Sequence, residues 1–413
     1  MQITGYNVAF GDCFLIDEPG KNVALLVDYG SDTPQVLDDV RQNILDTYRD
    51  RAFSILLTHF HQDHINGFWK TNLADEIDVH TVYIPDIFGM RAAKVRFDFL
   101  QLQVLSDLFS SIVLESRPAE VTLYSLLKRL ADMRTKVAFL HSGDEFLFAS
   151  QTFQVLWPNF NILNIDSRIE KSLIPLLQKF GIVNDNTNFN DEEKVPVSIQ
   201  YVDTFIDVLL DAYRALSDNE PEYSSALMSR VEEEFQRMSQ FFVARTWGLA
   251  RENPDSFLSE LKERLVGIKN QGNRISVVFQ DQPREGTSMV LMTGDVTSAD
   301  MKKIIAGPSK NPGSVCLSRR YTLIKAPHHG TDTHFAETFP LCDYFLISNG
   351  EPAPAHKRWG KISYLYSGFY ASNKGCQIKC TNPRCQILAM KKIGAKPCEL
   401  CGKSRKCIRV DFS

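Results

Sequence analysis

The sequence predicts an α/β fold in which two groups of short strands are separated by a long helical segment. Short apolar runs bounded by turn residues fill residues 1–85 and return at 145–159 and after residue 273, which is typical of strands covered on both faces. Between these groups apolar residues recur every three to four positions, the period of an amphipathic helix. With 413 residues, 44% of them hydrophobic, the chain can bury a large core.

The first group of strands opens the chain. We expect strands in ITGYNVAF, in CFLID, and at residues 23–27, 53–57 and 79–85, with one helix over about 34–48. The next stretch, about 92–135, has helical periodicity, as in Leu123, Leu126, Leu127 and Leu130, and strands resume at 145–159.

The second group of strands follows the longest helical segment. Strands are predicted in RISVVFQ, in SMVLMTGD, and at residues 322–326 and 343–348, with a helix at 298–306. The expected organisation is one α/β domain made of residues 1–159 and 272–375, a helical insertion at 160–271, and a cysteine-rich tail at 376–413.

Charge and hydropathy restrict the setting of the protein. The formal net charge of −4 argues against a surface that is basic throughout, so any nucleic-acid contact would be a local patch. No uncharged apolar run approaches the roughly 20 residues of a membrane span, and the N-terminus lacks a signal-peptide pattern. We expect a cytoplasmic protein without a membrane segment.

The stretch HFHQDH places three of the nine histidines within residues 59–64. Residues two apart in an extended chain share a face, so His59 and His61 can converge on one ion. Asp63 and His64 lie where the chain turns into a helix and could serve a second ion. Imidazole with carboxylate is the ligand mixture expected for zinc, manganese or iron.

An HxHxDH motif after an apolar strand resembles the signature of the metallo-β-lactamase-like hydrolases. The resemblance implies a four-layer αββα sandwich with metals at one edge. Asp28 in LLVDYGS resembles the early aspartate of the family, which holds the ligand loop and which we assign to the catalytic group. Asp295 in LMTGD resembles the bridging carboxylate; the alternative is a helix N-cap.

His328 and His329 in KAPHHGT resemble the last metal-binding element of the family. The resemblance implies that one completes the second metal site and the other faces the substrate. We expect His329 to be the ligand and His328 to be a catalytic contact to phosphate. The predicted metal ligands are therefore His59, His61, Asp63, His64, Asp295 and His329, and Asp63 also receives or relays a proton.

The sequence departs from the family pattern at the third ligand of the first metal. Many members carry a histidine after a strand, in a context like Pro-Gly-His, where this chain has TrpProAsn at 157–159. Either Asn159 approaches the metal weakly or another residue, such as His141, substitutes for it.

Motifs outside the histidine loop resemble one branch of this superfamily. The order of GlyAspCys at 11–13, ValAspTyrGly at 27–30, ThrGlyAsp at 293–295 and ProHisHisGlyThr at 327–331 is similar to the metallo-β-lactamase domain of competence (ComEC-type) DNA-uptake proteins and their free-standing relatives. That resemblance implies phosphodiester hydrolysis, in which a hydroxide held between two cations about 3.5 Å apart attacks phosphorus.

The expected activity is therefore a nuclease with two divalent cations, Zn²⁺ or Mn²⁺, and a nucleic acid or another phosphodiester as substrate. Lys325 and His356 are candidates for substrate binding, although each could be an ordinary surface residue. A small-molecule phosphodiesterase or esterase, acting on a cyclic nucleotide or a choline-phosphate-like ester, is one alternative. A non-catalytic interaction subunit that binds a protein partner through the helical insertion is another.

Six of the nine cysteines lie in the last tenth of the chain. In a reducing compartment such clustering indicates metal rather than disulfides. The knuckle-like pairs at 380–385 and 398–401 resemble a zinc ribbon, which implies structural zinc held by Cys380, Cys385, Cys398 and Cys401. Basic residues around it could hold a phosphate backbone or form a solvated surface.

Overall fold

The structure is a computed structural model that describes most of the chain. The described residues are 1–88, 98–113, 121–179, 200–218, 221–250, 254–283, 287–308, 310, 315–331, 334–336, 338–349, 376–381 and 407–412. They form two compact units, the first from residues 1–85, 138–163 and 273–413 and the second from 86–137 and 164–272.

The first unit contains two seven-stranded sheets. Sheet A consists of β1 (Gln2–Tyr6), β2 (Cys13–Asp17), β3 (Val23–Tyr29), β4 (Ala52–Leu56), β5 (Asp78–Pro85), β6 (Lys136–Leu140) and β14 (Cys407–Asp411). Sheet B consists of β7 (Glu145–Phe148), β8 (Gln151–Trp157), β9 (Val278–Asp281), β10 (Thr287–Met292), β11 (Arg320–Lys325), β12 (Leu341–Ile347) and β13 (Gln377–Cys380).

Both sheets mix parallel and antiparallel pairs. The strand order is β14-β1-β2-β3-β4-β5-β6 in sheet A and β13-β12-β11-β10-β9-β8-β7 in sheet B. The pairs β3–β4 and β4–β5 are parallel, as are β10–β11, β11–β12 and β12–β13. The carboxyl ends of these strands therefore supply the loops of one edge, where α/β proteins place their sites.

The two sheets pack face to face. One buried core joins side chains of both sheets, among them Phe14, Leu25 and Val27 with Phe153, Phe279 and Leu323. The residues that alternate with these on the strands, such as Leu26 and Leu291, are also buried, so the outer faces are covered as well.

Helices cover the outer faces of the first unit. The parallel pair β3–β4 is connected through α1 (Leu37–Tyr48), and the pair β10–β11 through α11 (Ser298–Ala306). Short helices follow β4, namely α2 (Gln62–Ile65), α3 (Gly67–Lys70) and α4 (Leu73–Glu76). The four-layer αββα sandwich implied by the resemblance is thereby confirmed.

The second unit is helical. Its helices are α5 (Phe99–Val113), α6 (Leu123–Met133), α7 (Ser167–Lys179), α8 (Gln200–Ser217), α9 (Pro221–Ala250) and α10 (Pro254–Gly272). The Tyr213 hydroxyl of α8 donates 2.9 Å to the backbone oxygen of Leu123 at the start of α6. Residues 86–137 share this unit with 164–272, so it is larger than the insertion expected at 160–271.

Two local features differ from the sequence-based expectation. Strand β6 was not predicted, because a five-residue strand that directly follows an amphipathic helix has no pattern of its own. Residues of the expected tail enter both sheets, with Cys380 on β13 and Cys407 on β14. None of the described helices combines the length and apolar character of a membrane span.

Candidate metal centre

The histidine loop begins where β4 ends and runs into α2. His61 has extended backbone angles (φ −74°, ψ 148°) and precedes the first helical residue, Gln62. The backbone oxygen of His61 accepts hydrogen bonds from His64 N (3.0 Å) and Ile65 N (3.2 Å). This abrupt change from strand to helix brings Asp63 and His64 back toward the preceding histidines.

Two glycines allow the loop to lie directly against the strands of sheet A. A Cβ atom on Gly30 would lie 2.5 Å from both the carbonyl carbon of Asp63 and the nitrogen of His64. On Gly11, whose φ is +152°, a Cβ atom would lie 2.3 Å from the Gly30 oxygen and 2.7 Å from the Asp63 oxygen. Both positions therefore require glycine, because backbone atoms occupy the space of a side chain.

Asp28 holds the loop from the end of β3. One carboxylate oxygen of Asp28 accepts a 2.7 Å hydrogen bond from Thr58 N, and the other accepts one of 2.7 Å from the Thr58 hydroxyl. The second oxygen also lies 2.8 Å from Nδ1 of His64. Asp28 is buried and bonded within the protein, so it is a positioning residue, which corrects its assignment to the catalytic group.

Asp63, His64, Asp295 and His329 form a cluster whose ligand atoms all lie within 4.8 Å of one another. His64 Nε2 lies 3.1 Å from an oxygen of Asp295, and His329 Nε2 lies 3.2 Å from an oxygen of Asp63. Three of the four side chains are fully or almost fully buried. Four of the six predicted metal ligands are thus brought together from α2, from the end of β10 and from the end of β11.

His59 and His61 lie beside this cluster. Their ring centroids are 4.5 Å apart, and the His59 ring is 4.2 Å from that of His64. Nδ1 of His59 lies 3.1 Å from the Thr58 hydroxyl, whereas its buried Nε2 has no hydrogen-bond partner among the described residues. A buried imidazole nitrogen without a partner is costly, and a metal ion would satisfy it.

The protonation states of the cluster reflect its mixture of charges. Burial alone would lower the pKa of His329, but Asp295 and Asp12 raise it to about 10. The pKa of His64 is likewise held well above its usual value by Asp295 and Asp63. In return His64 and His329 hold the pKa values of Asp63 and Asp295 below their usual range, against the opposing effect of burial.

This donor set fits divalent cations. The site contains anionic carboxylates and imidazoles, and the imidazoles of His64 and His329 carry an additional proton when no metal is bound. A bound cation would take the place of that proton on each ring. Nδ1 of His64 and Nδ1 of His329 are each occupied by a carboxylate or carbonyl oxygen, which leaves Nε2 for the ion. The described cluster supports divalent metal binding at this edge.

The two candidates for the third ligand of the first metal, Asn159 and His141, each have a hydrogen-bond partner in their own loop. The Asn159 side-chain oxygen accepts a 3.1 Å hydrogen bond from Asn161 N and forms a turn. His141 Nδ1 lies 2.9 Å from Asp144 in a loop, and its side chain is 48% exposed. Both residues have local partners that explain their presence without a metal.

Lys325 does not reach the surface, because its side chain is only 1% exposed. Its ammonium group pairs with Asp12, lies 3.3 Å from Asp295 and donates 2.8 Å to the oxygen of Gly294. These partners correct the prediction that Lys325 binds substrate. The lysine instead neutralises part of the buried negative charge, and its pKa is raised by those carboxylates although burial opposes the rise.

Asp12 was missed as a site residue, although its motif GlyAspCys was noticed in the sequence. It is fully buried, with one oxygen paired with Lys325 and the other 3.2 Å from Nδ1 of His329. A lone aspartate before a strand usually indicates only a turn. The sequence does not show that Lys325 and His329 contact Asp12, and only these contacts identify it as part of the site.

His328 lies at the rim of the cluster. Its Nε2 is 3.7 Å from an oxygen of Asp295, and its side chain is 16% exposed. His334, also missed in the sequence, packs its ring 3.9 Å from that of His328. Its only sequence signal was its proximity to the HHGT motif.

The remaining predicted site residues lie outside the described part of the chain. They are His356, Cys385, Cys398 and Cys401. Substrate binding by His356 and a zinc ribbon in the tail therefore stay predictions. Cys380, the one predicted zinc ligand that is described, is 4% exposed on β13.

Comparisons with known proteins give few matches. No protein-family model and no curated protein sequence matches the chain. Four chains of solved structures do match it, among them two subclass B3 metallo-β-lactamases.

One of these enzymes was isolated from a soil metagenome library; it is 18% identical with a TM-score of 0.23, and the match covers 37% of this chain and 48% of that enzyme. The other, from Bradyrhizobium japonicum, is 12% identical with a TM-score of 0.23, over 55% of this chain and 90% of that enzyme. The chain thus spans about half of the first enzyme, and the architecture described above rests on its own sheet order and layers.

Proposed function

We propose that this protein is a metal-dependent hydrolase that cleaves phosphodiester bonds, most specifically a nuclease. The observation that carries the proposal is the buried cluster of Asp63, His64, Asp295 and His329 at the carboxyl edge of both sheets. Two divalent cations at such a site supply Lewis-acid activation of water and of a phosphoryl oxygen. Zn²⁺ and Mn²⁺ both suit its imidazole and carboxylate donors.

The protein residues have separate roles in this proposal. His59, His61, His64 and His329 bind the cations together with the carboxylates of Asp63 and Asp295. The Asp63 carboxylate, 17% exposed, is the member of the buried cluster that is most accessible from outside and accepts the proton of the attacking water. His328, at the rim, donates a hydrogen bond to a non-bridging phosphate oxygen.

The choice of a phosphodiester substrate rests on the motif series that resembles ComEC-type proteins. The chain would then be a free-standing cytoplasmic relative of that domain. A structural zinc ion in the tail and a protein partner for the helical unit are further parts of the same proposal.

A nuclease assay with a matched control tests the proposal. Metal-free protein is loaded with Zn²⁺ or Mn²⁺ and incubated with bis-p-nitrophenyl phosphate and with labelled single- and double-stranded DNA. We expect metal-dependent cleavage that falls by two orders of magnitude or more, roughly 10²–10⁴-fold, in Asp63→Asn. His80→Ala is the control, because it removes an exposed histidine on β5 that pairs with Asp78 and was never a candidate ligand.

The substrate pattern distinguishes the alternatives. Cleavage of the small ester with DNA left intact would favour a small-molecule phosphodiesterase or esterase over a nuclease. No cleavage of either substrate by metal-loaded protein would contradict the proposal.

A second candidate is a non-catalytic interaction subunit. It is favoured by one observation: among the described residues, no cluster of three potential ligands includes His59 or His61. Counting bound metal by mass spectrometry, with Cys385, Cys398 and Cys401 replaced by serine, separates the two. Fewer than one ion per protein in that variant would favour the subunit.

A further inference from the structure

The turn after β11 carries His328 in a conformation that non-glycine residues rarely adopt. His328 (φ 43°, ψ 59°), His329 (φ 55°, ψ 20°) and Gly330 (φ 76°) form three consecutive left-handed residues. His328 N donates to the Gly294 oxygen at 3.2 Å, and Thr331 N donates to the His328 oxygen at 3.0 Å. Strained backbone that is held by surrounding bonds marks a position where side-chain direction matters.

A single hydroxyl group links two imidazole rings at this turn. Oγ1 of Thr331 lies 2.8 Å from Nδ1 of His328 and 3.2 Å from Nδ1 of His334. A hydroxyl has one proton to donate. When it donates to one ring it can only accept from the other, and the two neutral rings then carry their protons on opposite nitrogens.

The surroundings of His328 decide to which ring the Thr331 hydroxyl donates its proton. Nε2 of His328 faces the Asp295 carboxylate at 3.7 Å, which favours a proton on Nε2 rather than a lone pair. Nδ1 of His328 is then an acceptor, so the Thr331 hydroxyl donates to it. The Thr331 oxygen in turn accepts the Nδ1 proton of His334.

Burial also acts on the His334 ring. It lowers the pKa of His334 to about 4, so this ring is uncharged at neutral pH and carries a single N–H group.

We propose that His334 is a positioning residue that acts through Thr331 to fix His328 as an Nε2–H donor toward the substrate. This inference rests on the proposed function in one respect, namely that the acceptor is an oxygen of a phosphodiester. The opposite proton arrangement would present a lone pair of His328 to the phosphate, which repels it.

The direct test is the proton position on each ring. The full-length protein is labelled with ¹⁵N-histidine, and long-range ¹H–¹⁵N correlation spectra are recorded at neutral pH, with and without zinc. We expect His328 in the Nε2–H form and His334 in the Nδ1–H form. Spectra that show the same form for both rings, or His328 in the Nδ1–H form, would overturn the proposal.

Variants test the coupling and supply matched controls. His334→Phe keeps a ring beside His328 but has no donor, and Thr331→Val keeps the shape of threonine without the hydroxyl. In both we expect His328 to populate a mixture of the two forms. Thr331→Ser restores the hydroxyl and should restore the single form; a single unchanged form in His334→Phe would refute the role of His334.

The kinetic test uses the diester assay. We expect each of His334→Phe and Thr331→Val to reduce kcat/KM roughly tenfold. The double variant should show the same loss as either single variant, because both substitutions break the same series of hydrogen bonds. Additive losses would contradict the coupling. If the wild-type protein cleaves no diester, the proposed function fails, while the spectra still decide the proton arrangement.

Discussion

Metal binding should release protons from the centre, because two of its imidazoles are charged when no metal is bound. The neighbouring carboxylates raise the pKa of His329 to about 10 and that of His64 well above its usual value. A cation needs the lone pair on Nε2 of each ring, so each must lose one proton. The carboxylates add none, because Asp63 and Asp295 are already ionised.

The expected magnitude at pH 7 is about two protons for each occupied centre. Apparent metal affinity should then rise about a hundredfold for each unit of pH above 7, until the pH approaches the pKa of about 10 of His329. Metal affinity rises with pH because protons and the metal ion compete for the same imidazole nitrogens. A raised pKa means that protons still occupy these nitrogens at neutral pH, so metal binding strengthens as the pH rises.

Isothermal titration calorimetry in buffers of different ionisation enthalpy measures the number of protons that metal binding releases. Mn²⁺ is the suitable probe, because a zinc-bound water would itself ionise near pH about 7. His64→Gln should lower the number of released protons by about one, while His80→Ala, which changes an exposed histidine paired with Asp78, should leave it unchanged. A wild-type count near zero would refute the charge states inferred here.

Three further predictions concern residues that support the centre. Asp28→Asn removes the charged acceptor of His64 and should weaken metal binding about 10–100-fold, measured by competition with a chromogenic chelator; unchanged affinity would contradict its positioning role. Lys325→Met leaves buried carboxylates unpaired and should lower the free energy of unfolding by about 3–5 kcal/mol in urea denaturation, whereas a change under about 1 kcal/mol would show that the pair is dispensable. Gly30→Ala should reduce both metal content and thermal stability, because its Cβ has no space, while Gly248→Ala, where a Cβ meets nothing within 4 Å, is the control that should keep both.

The sequence predicted the parts of the centre that a local motif defines. HFHQDH specifies four side chains in six residues, and Asp295 and His329 follow strands at family-like positions. The helix at 298–306 was also predicted with its observed bounds; in the structure Thr297, and not Asp295, caps its N-terminus, and Gly307 follows its last residue.

Residues whose roles depend on distant partners could not be assigned in this way. Lys325 reads as a surface lysine until Asp12, from the opposite end of the chain, is placed against it. His334 reads as an isolated histidine until the left-handed turn brings it over His328. Burial and pairing of this kind are tertiary properties, and no local spacing encodes them.

The pairing of β1 with β14 governs how the chain can be produced. Strand β1 leaves the ribosome long before its partner β14, with Ile3 opposite Val410 in the finished sheet. Until that partner arrives, the backbone donors and acceptors on one side of β1 are exposed, and such an edge promotes aggregation. Slow synthesis at low temperature, and purification through a tag placed after β14, should therefore enrich chains that have closed sheet A.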